Sequence, residues 1–371
     1  MIYLDNAATT YPKPECVKNA LLDFMQNCGA NAGRSGHAMS IDSGRVVFEA
    51  RKSLADMLGI KHPMNVAFTL NATHALNLAI QGVVKKGDVV VTSPFEHNSV
   101  KRVLNAYDGI EIRVLKTDKF GHLVDVKESL KGANVVILVH ANNVSGMILP
   151  VDEIFKLAKE NGATTILDAA QSAGVLDIST KYTDIVCASG HKGLYGIQGT
   201  GFIALSDKFD ISKIKPLMQG GTGSKSEHEI HPNFMPDMLE AGTLNAHGIA
   251  TVKAGIEFIN SLKKDEIINH ERELREFLRS ELLKMSEFKI LEVPPSYETI
   301  GNLSFTHERL SPSEISLKLN EKGFCVRASL HCNPGTHKFY GTSPDGAVRV
   351  SPGYFTTLEE MESLVSVLRE I

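Results

Sequence analysis

The chain has 371 residues, with 39 Lys plus Arg against 43 Asp plus Glu and a formal charge of −4 at pH 7. Hydrophobic content of 43% and charged content of 22% are globular values, which exclude disorder over most of the chain, and the length accommodates about two domains. Near-balanced charge without a Lys/Arg block argues against nucleic acid or an anionic membrane as partner, and no apolar run approaches the ~18 residues of a membrane span. The amino terminus, Met1 to Asp5, carries no basic region followed by an apolar core, so nothing marks it for export. Five cysteines, Cys16, Cys28, Cys187, Cys325 and Cys332, form an odd set without a CxxC pair. They read as reduced thiols of a cytoplasmic protein; neither a disulfide framework nor a metal site is expected.

From about residue 40 to 206, strand-like and helix-like patterns alternate. Apolar strands are expected at Val66–Leu70, Val89–Thr92, Ile112–Leu115, Val135–His140, Thr165–Asp168, Ile185–Ala188 and Phe202–Leu205. Leu76, Ala79, Ile80, Val83 and Val84 recur at helical spacing, with Gly87 as a stop, and Ile154, Phe155 and Ala158 form a second stripe closed by Gly162. Strands apolar throughout and separated by helices predict a mostly parallel seven-stranded sheet covered on both faces, with ligands beyond the carboxyl ends of its strands. The polar, Gly-rich stretch Gln219–His231 reads as the most mobile loop.

After Gly248 a long charged helix is expected over Ile249–Met285, followed by a smaller α+β unit. Ser311, Pro312 and Glu314 spell a capping box with proline at the first helical position, and Gly323 ends that helix. Strands near Asn302–Thr306, Cys325–Ala328 and Ala347–Ser351 surround it, and a final helix is expected to bury Leu358, Met361, Leu364, Val365 and Leu368. The expectation is an α/β fold: a large domain over 15–250, a small α+β domain over 251–371, and a segment 1–14 packing near the active site.

Chemistry concentrates at strand ends. Ser189-Gly190-His191-Lys192-Gly193 follows an apolar strand, a setting for a reactive amine, although a solvated lysine on a turn is the common alternative. Its glycines fit neither a P-loop nor the dinucleotide fingerprint. Asp168 ends the preceding strand, where a carboxylate is costly unless it meets a cation or caps a helix. An acid held against a ring nitrogen, paired with a lysine amine, is the arrangement that pyridoxal phosphate requires. Asn71-Ala72-Thr73 opens a helix whose N-terminus suits a phosphate, unless Thr73 merely caps it. Glu96-His97-Asn98 follows another strand, where His97 could stack on an aromatic cofactor. Arg349 sits in an otherwise apolar strand and needs an anionic partner, a ligand or a buried salt bridge.

Together these residues resemble the fold-type I, pyridoxal-phosphate enzymes of the class V aminotransferase group, most closely the cysteine desulfurases and selenocysteine lyases. The likeness spans nearly the whole chain: Tyr3 to Thr10, Asn31 to His37, Asn71-Ala72-Thr73, Glu96-His97-Asn98, Asn142-Asn143, Asp168 to Gln171, Ser189 to Lys192, Glu240 to Thr243, Arg327 to Cys332, and Arg349. The resemblance implies that Lys192 condenses with the cofactor aldehyde, Asp168 pairs with the ring nitrogen, Gln171 bonds the phenolic oxygen and His97 stacks on the ring. It implies that Ala72, Thr73, Ser189 and His191 surround the phosphate, with Thr243 reaching it from the partner of a homodimer. Asn143 and Arg349, with Arg327 and His37, would serve the substrate.

The reaction turns on Cys332. It alone lies in a polar loop, Arg327 to Gly335, whereas Cys187 and Cys325 read as core. Beside His331 and near cations such a thiol is partly thiolate. The resemblance implies attack of Cys332 on the sulfur of L-cysteine, giving a persulfide and L-alanine. The spacing of 17 positions to Arg349 resembles the subgroup with a short cysteine loop, which relies on a sulfur-acceptor protein, as in iron–sulfur cluster assembly. Selenocysteine lyase or another class V reaction is the alternative. A Cys–His hydrolase is disfavoured because adjacent Cys and His rarely point at one another, and His228-Glu229-Ile230-His231 is not the HExxH zinc pattern.

Overall fold

Alternation of apolar strand and amphipathic helix builds the first two-thirds of the chain. The computed structural model describes every residue except Arg34, within the Asn31–His37 motif, and Ser226, within the stretch 219–231. The order is β1 (Ile2–Tyr3), α1 (Glu15–Asp23), α2 (Ala38–Met57), β2 (Val66–Thr69), α3 (Ala72–Val83), β3 (Val89–Thr92), α4 (Asn98–Asn105) and β4 (Glu111–Val114). A ribbon of β5 (Lys116–Thr117) and β6 (Leu123–Val124) and the short α5 (Val126–Ser129) follow. Then come β7 (Val135–Val139), α6 (Val151–Glu160), β8 (Thr164–Asp168), β9 (Ile185–Ser189) and β10 (Gly201–Leu205).

The seven expected strands form one sheet in the order β2-β10-β9-β8-β7-β3-β4. All contacts are parallel except those of β10, which runs antiparallel to β2 and β9. Period-two alternation divides the side chains between two cores. Val136, Leu138, Leu167, Ala188 and Phe202 join the helices of one face, and Val135, Ile137, Ile166, Cys187 and Ile203 meet Leu76, Ala79, Ile80 and Val83 of α3 on the other. The edge strand β4 is mostly exposed.

The remainder comprises α7 (Ala246–Ser261), α8 (Glu266–Leu282), β11 (Phe288–Ile290), β12 (Leu303–His307), α9 (Pro312–Glu321), β13 (Phe324–Cys325), β14 (Arg327–Ser329), α10 (Pro334–Phe339), β15 (Ala347–Val350) and α11 (Leu358–Leu368). A four-stranded antiparallel sheet, β11-β12-β15-β14, packs on α8, α9 and α11. Leu4 enters that core from the amino terminus, and β1 pairs in parallel with β13. The capping box of Ser311 and Glu314 forms as expected.

Two elements differ from expectation. The helix over Ile249–Met285 is two helices, because Leu262 is extended and Asp265 adopts a left-handed φ of 61° between α7 and α8. An unbroken charge pattern conceals such a break. The strand over Cys325–Ala328 is split at Val326, since β13 pairs with β1 whereas β14 pairs with β15. Among the described residues, no helix or strand occurs within 219–231, and no helix anywhere is long and apolar enough to cross a membrane.

Candidate active site

A cavity opens beyond the carboxyl edge of the large sheet, where such sheets place their ligands. Each neighbouring strand contributes. Asn71, Ala72 and Thr73 follow β2; His97 and Ser99 follow β3; Ala141 and Asn143 follow β7; Asp168, Ala170 and Gln171 end β8; Ser189, His191 and Lys192 end β9. Close packing shapes this rim. A Cβ on Gly201 would lie 2.7 Å from the backbone carbon of Asn71, so only glycine lets β10 run beside the start of α3.

Asn71, rather than Thr73, caps α3: its side chain accepts from the His74 amide at 2.9 Å. Thr73 Oγ1 is left 2.7 Å from Ser99 Oγ. The helix start thus presents amides and a positive dipole end to the cavity. In the same cavity, Ser189 Oγ and His191 Nδ1 are buried without a hydrogen-bond partner among the described residues. The amino-terminal segment wraps this corner. Thr9 Oγ1 and Lys13 Nζ donate to the His191 carbonyl at 3.1 and 2.9 Å, and Gln171 Nε2 donates to the Ala7 carbonyl at 2.9 Å.

Lys192 is half-buried, its open side being the cavity. Loss of hydration lowers its pKa from 10.5 to about 8; Asp168 opposes that shift and the Arg349 and Arg327 charges reinforce it. Asp168 is 2% exposed, and burial raises its pKa against the Ala170 amide and the charge of Lys192. His97 caps α4 by accepting from the Ser99 amide at 3.1 Å. Burial, then the charges of Lys192, Arg327 and Arg102, lowers its pKa to about 4, so the ring is neutral at pH 7. Below it, Glu96 Oε1 accepts from Ser93 Oγ at 2.5 Å and from the Val139 amide at 3.0 Å.

On the small-sheet side, Arg349 is 1% exposed. Its Nη2 pairs with Asp5 at 2.6 Å and its Nη1 donates to the Asn143 carbonyl at 2.9 Å, while Nε is buried without a partner among the described residues. The buried salt bridge expected as the alternative for Arg349 therefore exists, with one donor still unused. The Asn143 amide is also engaged, donating to the His331 carbonyl at 2.8 Å and accepting from Asn333 Nδ2 at 3.0 Å.

Cys332 is exposed and lines an open groove with Arg102 and Tyr107. Groove and cavity share Thr73, His97 and Ser99. The expected influence of His331 on the thiol needs correction. Its ring is turned into the protein and bonds the Arg327 carbonyl and His337. The cation beside the sulfur is Arg327, whose Nη2 lies 3.9 Å from Cys332 Sγ. Cys325 is half-buried, so it is only partly a core residue.

His37 and Thr243 line neither space in this chain. Both are exposed, and His37 caps α2 through Nδ1. Sequence reasoning missed Asn71 as the cap, Ser99 as the link between Thr73 and His97, and Asp5 as the partner of Arg349. Asn71 stands inside the motif Asn71-Ala72-Thr73, and Ser99 directly follows Glu96-His97-Asn98. The link from Asp5 to Arg349 crosses almost the whole chain and leaves no local trace.

A family model described as aminotransferase class-V matches residues 2–364. A probable cysteine desulfurase of Pyrococcus abyssi is 32% identical over 385 aligned positions, covering 100% of this chain and 94% of the relative. One of Methanothermobacter thermautotrophicus is 30% identical over 383 positions, covering 100% and 94%. The apo structure of the cysteine desulfurase from Thermococcus onnurineus NA1 superimposes with a TM-score of 0.92 at 30% identity, covering 100% of this chain and 94% of that one. The chain belongs to the aminotransferase class-V family, in the branch that holds the cysteine desulfurases.

Proposed function

We propose that the protein is a pyridoxal 5'-phosphate-dependent cysteine desulfurase: it converts L-cysteine to L-alanine and transfers the sulfur to Cys332 as a persulfide. The reaction balances without an external redox partner, since the substrate C–S bond is replaced by C–H while a thiol becomes a persulfide. The observation that carries this reading is that Lys192 and Asp168, one amine and one buried acid, line the same cavity.

The cofactor fits the residues present. Ser189 Oγ and His191 Nδ1 lack partners among the described residues, and both residues line the cavity together with Ala72 and Thr73 at the start of α3, where a helix N-terminus suits an anion. Asp168 suits a ring nitrogen, Gln171 the phenolic oxygen, and the neutral His97 a ring face. When bound, the group supplies an aldehyde that condenses with amines and a ring that withdraws an electron pair from the substrate Cα. The protein's part is positional and protonic. Lys192 Nζ takes the Cα proton and returns a proton to the substrate. Asp168 keeps its charge toward the ring. Arg349 receives the substrate carboxylate through its unpaired Nε, on a guanidinium already oriented by Asp5. Because the Asn143 side chain is committed to the Cys332 loop, it supports that loop while its carbonyl orients Arg349. Arg327 sets a guanidinium 3.9 Å from the Cys332 sulfur.

The same reading extends to a cytoplasmic homodimer whose partner lends Thr243 to the phosphate, and to an acceptor protein that collects sulfur from Cys332 for uses such as iron–sulfur cluster assembly. The exposed Thr243, the exposed Cys332 and five unpaired thiols support it. The test is direct. Purified protein should absorb in the visible and lose that band with borohydride. With L-cysteine it should release alanine, and the peptide bearing Cys332 should gain one sulfur atom. A colourless protein that takes up no added cofactor would overturn the reading.

A further inference from the structure

His331 and Cys332 are consecutive non-glycine residues in the left-handed region, with φ of 50° and 55°. L side chains hold that conformation only where their surroundings over-determine it. Backbone ties supply part of the restraint: the Cys332 carbonyl accepts from the Asn98 amide at 2.8 Å, and the His331 amide donates to Ser329 Oγ at 2.9 Å.

The rest comes from a chain of rings beneath the thiol. His331 and His337 are buried and stacked, with centroids 5.4 Å apart and planes inclined by 19°. His331 Nε2 is 3.3 Å from the Arg327 carbonyl, His331 Nδ1 is 3.2 Å from His337 Nε2, and His337 Nδ1 is 2.7 Å from Thr342 Oγ1. A carbonyl only accepts, so His331 carries its proton on Nε2 and its Nδ1 accepts from His337. His337 Nδ1 in turn accepts from the Thr342 hydroxyl. One tautomer of each ring satisfies all four nitrogens, and none is left for the thiol.

We propose that His337 is a positioning residue for sulfur transfer: through His331 it holds the Cys332 loop in its left-handed turn, so that the thiol stays at the mouth shared by groove and cavity. The proposal rests on the desulfurase reading above. His337 belongs to no motif that sequence reasoning singled out, and it lines neither cavity nor groove.

The test uses the holoenzyme with His337→Phe, which keeps a stacked ring but no hydrogen bond, and His337→Gln, which restores a donor. In His337→Phe, kcat for alanine release from L-cysteine should fall by on the order of tenfold to a hundredfold, the cost of a misplaced reacting group. KM, and the exchange of the Cα proton of L-alanine into D2O, should stay within about twofold, because they do not need the thiol. Amide hydrogen exchange of the segment 327–337 should accelerate, and His337→Gln should recover most of both losses. An unchanged kcat, or Cα exchange falling as far as kcat, overturns the proposal. If the unaltered enzyme releases no alanine, the desulfurase reading fails, and amide exchange unchanged by His337→Phe then also overturns this one. Should His337→Phe not fold, Thr342→Val removes the bond to His337 Nδ1, together with the longer one that Thr342 Oγ1 donates to the His337 carbonyl at 3.4 Å, and must shift kcat and exchange in the same directions, or the proposal falls.

Discussion

Arg349 and Arg327 stand directly opposite one another on the antiparallel pair β15 and β14. Asp5 lies 2.6 Å from Arg349, whereas no carboxylate among the described residues forms an ion pair with Arg327. Like charges opposite each other are destabilising on a sheet. The site resolves the conflict unevenly: one arginine is neutralised and oriented, and the other keeps its charge beside the sulfur.

Removing Asp5 leaves a buried guanidinium uncompensated next to a second one. Asp5→Asn should therefore cost about 3 kcal/mol of stability, the usual price of breaking a buried pair from one side. Urea unfolding of the two proteins would measure it. The KM for L-cysteine should rise more than kcat falls, since the residue orients the carboxylate's partner and touches no reacting atom.

Cys332→Ser and Lys192→Ala separate the two halves of the chemistry. The serine variant should keep the visible absorbance of the bound cofactor, still react with L-cysteine at the Cα proton, and lose persulfide and alanine turnover to background. The alanine variant should lose both the borohydride-sensitive band and turnover. Spectra of the two proteins, with mass analysis of the Cys332 peptide, check each outcome.

The large sheet was legible because its strands are apolar along their length and its helices carry regular stripes, so β3 runs over Val89–Thr92 as the pattern indicates. Lys192, Asp168, His97 and Thr73 were visible for a related reason: each follows a readable strand, and strand ends converge in such sheets. Longer-range relations were not. The break between α7 and α8 depends on Leu262 leaving the helix to pack near Val17 and Tyr195, which no periodicity records. The orientation of His331, away from the adjacent thiol, follows from two left-handed residues and a ring partner six positions on.

Lys192 dictates how the apoprotein takes up its cofactor. Condensation needs the neutral amine, and burial brings its pKa to about 8. The uptake rate should rise about tenfold per unit below that point and level off above it. An ordinary lysine would keep gaining to beyond pH 10. Growth of the visible band after adding pyridoxal phosphate at several pH values decides between these profiles.

Glu96 offers a test of the buried charge balance beneath the site. It is fully buried, its Oε2 has no partner, and burial raises its pKa from 4.5 to about 8. In the folded protein it stays protonated between those values, while in the unfolded chain it ionises. The unfolded state therefore binds fewer protons across that window, and this residue's contribution to stability falls as pH rises from about 4.5 to about 8. Glu96→Gln keeps a neutral side chain of the same shape and removes the dependence. Relative to the unaltered protein the variant should thus gain stability with rising pH, by up to about 1.4 kcal/mol per unit inside the window. Urea unfolding of both proteins at pH 6 and pH 8 measures the difference. Equal differences at the two values would mean that Glu96 is ionised in the folded state, with a cation close enough to hold it there.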